Sequence, residues 1–157
     1  MFTINHDEAI DMGLIEEGEY EVVVAKAFED VTPNNAVYIN MHLVVRNDID
    51  QKYQNKYIFH SIWQTKTTGE YHPGTINTVA KALKIENGKR YNTLEELLND
   101  FVNRTARVKV GHEEYNGKTN ARVQNWDVTR FPQCNHQFKM NDIPTGFTEV
   151  SNENIPF

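Results

Sequence analysis

The chain of 157 residues has a single cysteine, Cys134, so no internal disulfide framework is expected, and a reducing cytoplasm suits it. No apolar run approaches the roughly eighteen residues of a transmembrane helix. The first residues, Met1 to Glu8, show no basic stretch followed by an apolar one, so no signal peptide is expected. A Gly-rich phosphate loop is missing. Glycine and proline are sparse, at eight and five, which excludes a collagen-like or low-complexity chain. Bases are also short, 16 against 22 acids, for a net charge of −6. What remains is ordinary: 39% hydrophobic and 24% charged residues. These features predict one soluble, intracellular domain, large enough to bury about 68–70% of its unfolded surface.

The charge is unevenly spread. Residues 1–30 carry nine acids against Lys26 alone, and residues 132–157 carry Asp142, Glu149 and Glu153 against Lys139. The middle, 31–131, has 14 bases and 10 acids. A mildly basic body between acidic ends keeps an anionic partner open, although scatter of solvated charge gives the same count.

Periodicity orders the elements. Tyr20 to Phe28 is rich in β-branched and aromatic residues and reads as a strand. Pro33-Asn34-Asn35 supplies a turn. Val37, Ile39, Met41, Leu43 and Val45 then alternate with Tyr38, Asn40, His42, Val44 and Arg46, a strand with one buried side. Lys56 to Trp63 is a third strand. Ile76, Val79, Ala80 and Leu83 have helical spacing with Thr75 as cap, and Thr93 to Glu96 is a capping box opening a second short helix. Two more strands follow, Thr105 to Gly111 and Ala121 to Val128, around the hairpin signal Asn116-Gly117. Pro132 begins an aperiodic tail.

The expected fold is therefore β-dominated: an OB-fold, a five-stranded antiparallel barrel with short helices between strands three and four. An α+β sandwich has the same elements. The expected organisation is an acidic N-terminal segment (1–17), the barrel domain (18–131) and a flexible C-terminal tail (132–157).

Catalysis finds little support. The histidines at 6, 42, 60, 72, 112 and 136 are scattered. Cys134-x-His136 lacks the second ligand pair of a zinc site. Glu113-Glu114 reads as solvated loop charge, and two-metal chemistry needs carboxylates that converge. No enzyme activity, cofactor or metal is expected.

Binding finds more. Single-stranded nucleic acid needs flat π-faces for bases and cations for phosphates. Strand two offers Tyr38, Asn40, His42 and Arg46; strand three offers Tyr57, Phe59 and Trp63. The last hairpin offers Tyr115 and Lys118, with Arg107, Lys109 and Arg122 beside it. Rings such as Phe59 and Trp63 are more often core than platform, since burying a large ring is favourable, and Tyr38 and Tyr115 are the better contact candidates. Trp126 reads as packing.

Asn152-Glu153-Asn154-Ile155-Pro156-Phe157 resembles the end of bacterial single-stranded DNA-binding proteins, an acidic stretch closing in Ile-Pro-Phe or Leu-Pro-Phe. In that family the tail docks replication and repair enzymes, which implies partner contacts through Glu153, Ile155, Pro156 and Phe157. Here Asn152 and Asn154 stand where the family has Asp, which implies weaker electrostatic steering.

Over residues 1–131 the chain resembles a family of small proteins from replication and recombination modules of phages of Gram-positive bacteria, formerly a domain of unknown function. The resemblance rests on Glu17-Gly18-Glu19-Tyr20-Glu21-Val22-Val23-Val24, on Val45-Arg46-Asn47-Asp48 leading to Ile58-Phe59 and Ile62-Trp63, and on Glu114-Tyr115-Asn116-Gly117-Lys118. It implies a cytoplasmic single-stranded DNA-binding protein of phage replication or recombination in an infected host cell, with little sequence preference. The implied partners are single-stranded DNA and, at the tail, replication or recombination proteins; no membrane partner is expected, and self-association stays open. The alternative is a protein-interaction adaptor or DNA-mimicking inhibitor, motivated by the acidic N-terminal segment.

Overall fold

The computed structural model describes residues 2–4 and 14–138. Five strands and two helices follow the expected order: β1 (Gly18–Val31), β2 (Val37–Val45), β3 (Tyr57–Trp63), α1 (Pro73–Ala82), α2 (Leu94–Phe101), β4 (Thr105–Tyr115) and β5 (Lys118–Asp127). They form one antiparallel sheet in the order β3-β2-β1-β4-β5. Strand content dominates. The sheet is not closed: among the described residues no ladder joins its edges, β3 and β5. The expected closed barrel is therefore an open sheet whose edges approach each other. His60 of β3 meets Trp126 of β5 with ring centroids 5.3 Å apart.

β1 is the long central strand. Gly18 to Val23 pair with β4, and Val22 to Val31 pair with β2. Its register shifts between Val24 and Lys26, a bulge at Ala25. A bulge bends a strand and adds a residue, so the alternation of faces changes phase there. Val22 and Val24 point into the core before it and Ala27 after it. Lys26, Phe28 and Asp30 thereby pair on the outer face with His42, Asn40 and Tyr38.

The core holds the inner rows of all five strands. Ile39, Met41, Leu43 and Val45 from β2 meet Ile58 and Ile62 from β3 and Ala106, Val108 and Val110 from β4. Leu98 and Phe101 of α2 and Val79 and Ala82 of α1 cover them. α1 begins earlier than its apolar spacing predicts. His72, rather than Thr75, is the N-cap: its Nδ1 accepts from the Gly74 N–H at 3.0 Å, and Pro73 occupies the first turn, where its missing N–H costs nothing. α2 carries the expected cap, with Thr93 Oγ1 accepting from the Glu96 N–H at 3.2 Å. Asn116 and Gly117 turn the last hairpin with φ of 51° and 78°, the two positive values that Asn-Gly permits.

Candidate nucleic-acid interface

The outer face of β1, β2 and β3 is built in cross-strand rows. Asp30, Tyr38 and Trp63 form one; Phe28, Asn40 and Ser61 the next; Lys26, His42 and Phe59 the third. Val44 and Tyr57 close the series. Tyr38 stacks on Trp63, with centroids 4.4 Å apart and an interplanar angle of 27°. His42 is ringed by Phe59 at 4.9 Å, Phe28 at 5.4 Å and Tyr57 at 6.1 Å, each edge-on. Tyr57 and Phe59 lie parallel. Trp63 is 50% exposed and Phe59 51%, so the two rings expected to serve either core or surface stand at the surface, with Phe28 37% exposed beside them. Full burial of such a side chain stabilises by about 1.5–3 kcal/mol, and these rings leave part of that gain unrealised.

The strand alternation finds Tyr38, Asn40, His42, Tyr57, Phe59 and Trp63, and the structure brings all six together. It misses Phe28 and Lys26. Strict period two would place both on the Val22 and Val24 face, and only the bulge turns them outward. The available signal was Lys26 itself, since a lysine does not belong on a fully buried row. No ion pair holds Lys26 among the described residues. Burial, followed by the nearby Lys26 charge, lowers the pKa of His42, so its imidazole is neutral at neutral pH. At the other end of the face the Tyr38 hydroxyl points to the Asp30 carboxylate at 3.5 Å.

The face continues into a groove of about 390 Å³ between the sheet edges, where Tyr57 and Phe59 stand across from Asn120 and Arg122. Arg122 is exposed and only loosely paired with Glu113, at 4.0 Å. Tyr115 and Lys118 pair across the hairpin one step beyond Thr119, and both are exposed. Lys109 is exposed on β4. Against Trp126, His60 is held down at about pKa 4 by burial and then by the Arg122 charge.

Two expected contacts are removed from this surface. Arg46 is fully buried. Its guanidinium donates to both Asp48 carboxylate oxygens, at 2.9 and 2.7 Å, and to Thr129 Oγ1 at 3.2 Å. It also donates to the carbonyls of Phe131 and Gln133, at 2.9 and 3.0 Å, and lies 4.0 Å from Glu21. Burial works against its charge, but the hydrogen bond and charge of Asp48, with Glu21, raise its pKa. Alternation placed Arg46 correctly off the apolar row and could not foresee a cover. Arg107 is the second: it donates to Glu19 at 2.9 Å and Asp127 at 2.5 Å, so its charge is neutralised within the chain.

The cover is the segment after β5. Residues 132–138, expected to begin a flexible tail, lie on the body. Asn135 N–H donates to Asp48 at 2.8 Å, the Asn47 N–H donates to His136 Nδ1 at 3.0 Å, and Asn47 and Gln137 bond reciprocally at 2.8 and 3.0 Å. Phe138 and Tyr57 cover the outward-facing Val23, Ala25 and Val44. This strap ends the exposed aromatic face on one side.

Among the described residues no three His, Cys, Asp or Glu side chains gather as metal ligands. No helix there is long and apolar enough to cross a membrane. The tail residues Glu153, Ile155, Pro156 and Phe157 lie outside the described residues. No curated protein matches the chain. A family model described as "Protein of unknown function (DUF669)" matches residues 2–140, which take in every described strand and helix and all of the aromatic face, and the chain belongs to that family.

Proposed function

We propose that the protein binds single-stranded DNA across the outer face of β2 and β3, in the replication or recombination of a phage within the host cytoplasm. One observation carries the reading: six rings gather on a single exposed sheet face, with Lys26 and Arg122 beside them. Stacking on such rings contributes about 1–3 kcal/mol per base and tolerates any base, so strong sequence preference is not expected. Duplex bases are paired and stacked internally and cannot lie flat on this surface.

The strand order supports the OB-fold reading. A five-stranded Greek-key barrel cut between β3 and β5 has the order β3-β2-β1-β4-β5, its helices between β3 and β4, and its nucleic-acid face on strands two and three. The phage assignment rests on the resemblance of Glu17 to Val24 and of Glu114 to Lys118. Partner docking through Ile155, Pro156 and Phe157 rests on their likeness to bacterial single-stranded DNA-binding tails. The role is binding, and no reaction is assigned. The DNA-mimic alternative is weakened by the use of Glu19 and Glu21 on internal partners, Arg107, Thr129 and Arg130.

Fluorescence anisotropy with labelled oligo-dT, the matching duplex and oligo-U tests the reading. Tight binding to oligo-dT with at least tenfold weaker binding to duplex supports it. Equal affinity for duplex, or no binding to either, overturns it.

A further inference from the structure

We infer that single-stranded DNA and a proton bind this face together, the proton going to His42, so that affinity rises as pH falls; this rests on the face being a single-strand binding surface. His42 stands at the centre of the face. Its direct cross-strand partners are Lys26 on β1 and Phe59 on β3. Phe28, Phe59 and Tyr57 surround its ring, with centroids at 5.4, 4.9 and 6.1 Å. Neither imidazole nitrogen has a hydrogen-bond partner among the described residues, and neither is among the buried polar atoms left unpaired there. The edge of the half-buried ring is therefore within reach of a ligand.

The groups packed around His42 hold a cation and no anion. From β1 it meets Lys26 and Phe28, and from β3 Tyr57 and Phe59. The strap adds Phe138 beyond Tyr57. Asp30, the acid of this face, lies two rows away at the Tyr38 end. Burial and the Lys26 charge together keep the ring neutral in the free protein. The counter-charge that an imidazolium needs is therefore missing from the protein, and a DNA strand carries it on every nucleotide.

A phosphate drawn to Lys26 lies about one strand spacing, roughly 5 Å, from His42. It attracts the imidazolium and cancels the repulsion from Lys26, and both effects raise the proton affinity of the ring. Charges act over a Debye length of about 8–10 Å at ordinary salt, so a nucleotide stacked on Phe59 or Tyr57 has the same influence without touching the ring. One effect opposes: a base covering His42 removes water, which disfavours the charged form. The ring is already half-buried by its aromatic neighbours, so little of that loss is left to incur. The imidazolium also donates from both nitrogens, where the neutral ring donates from one. DNA thus strengthens proton binding at His42, and by reciprocity the proton strengthens DNA binding.

The test measures oligo-dT affinity at pH 7.5, 6.5 and 5.5 and constant ionic strength, on the wild type, His42→Gln and His60→Gln, with a thermal melt of each protein at each pH. Thymine does not titrate in this range. The expected wild-type gain from pH 7.5 to 5.5 is about three- to tenfold, since raising the pKa of one group by one unit is worth at most tenfold. His42→Gln loses more than half of the gain. His60→Gln keeps it, because His60, at about pKa 4, stays neutral throughout. Proton NMR of the His42 ring in the wild type reads the same event directly: its titration midpoint rises when oligo-dT is bound. A wild-type affinity that is flat or falls on acidification, a gain mostly kept in His42→Gln, or an unmoved midpoint overturns the inference and leaves single-strand binding standing. Failure of the wild type to bind oligo-dT at any of these pH values overturns both.

Discussion

Tyr38 of β2 and Trp63 of β3 are directly opposed in the sheet and stack with centroids 4.4 Å apart, while Trp63 stays 50% exposed. The pair offers one continuous flat surface rather than two separate rings. It sits on a rigid strand pair, so little ordering is needed when a base is laid on it.

Tyr38→Ala and Trp63→Ala each weaken oligo-dT binding by about 1–3 kcal/mol, and the double variant loses less than the sum because each ring supports the other. Anisotropy titrations measure this. Melting points should stay near wild type, since half-exposed rings contribute little to the core. Phe101→Ala does the opposite: Phe101 is fully buried, so its loss costs about 3–5 kcal/mol of stability with affinity unchanged. A Tyr38→Ala protein that melts much lower and binds normally would show that the face is structural.

Arg46→Met destabilises the protein by about 3–5 kcal/mol, because Asp48 and Glu21 lose their buried counter-charge and the strap loses its anchor. Limited proteolysis should then cut within residues 129–138. Lys26→Ala, in contrast, lowers affinity and leaves the melt unchanged. A drop in affinity without a drop in stability for Arg46→Met would contradict the buried role.

Lys26, Lys118 and Arg122 are free or loosely held near the aromatic face and groove, whereas Lys109 stands between Glu19 of β1 and Asn125 of β5, away from it. If these three meet phosphates, log K against log salt has a slope of about −2 for a single strand. Removing Lys26 makes the slope shallower by about 0.7. A flat salt response would show that phosphates are not contacted.

Stability falls on acidification. His60 is held at about pKa 4, and His42 and His136 are lowered too, each mainly by burial. The unfolded chain, with histidines near their ordinary value of 6.5, binds more protons than the folded one below that pH. Stability is therefore full above about pH 6.5 and declines as pH drops toward 4, by at most about 3 kcal/mol from His60. Urea melts at pH 7.5, 5.5 and 4.5 check this, and His60→Gln should flatten the profile. A wild-type profile that is already flat would refute it.

Much of this was legible in the sequence. Period-two alternation over Val37 to Arg46 assigned the faces of β2, and the same rule placed Tyr57, Phe59 and Trp63 together, because side chains on a pleated strand must alternate. Asn116-Gly117 specified its hairpin, because both positions need positive φ. Three things were decided only by tertiary structure. The bulge at Ala25 shifts the phase of β1, and bulges arise from how a strand must bend between two partners, so a lysine on the apolar row, Lys26, was its one local trace. The strap over Arg46 depends on residues 83 to 87 positions away closing onto one guanidinium, so a charged residue that looked like a phosphate contact became a buried anchor. The exposure of Phe59 and Trp63 was open for the same reason: a large ring at a strand position is core or platform depending on what covers that face, and here the strap stops at Tyr57.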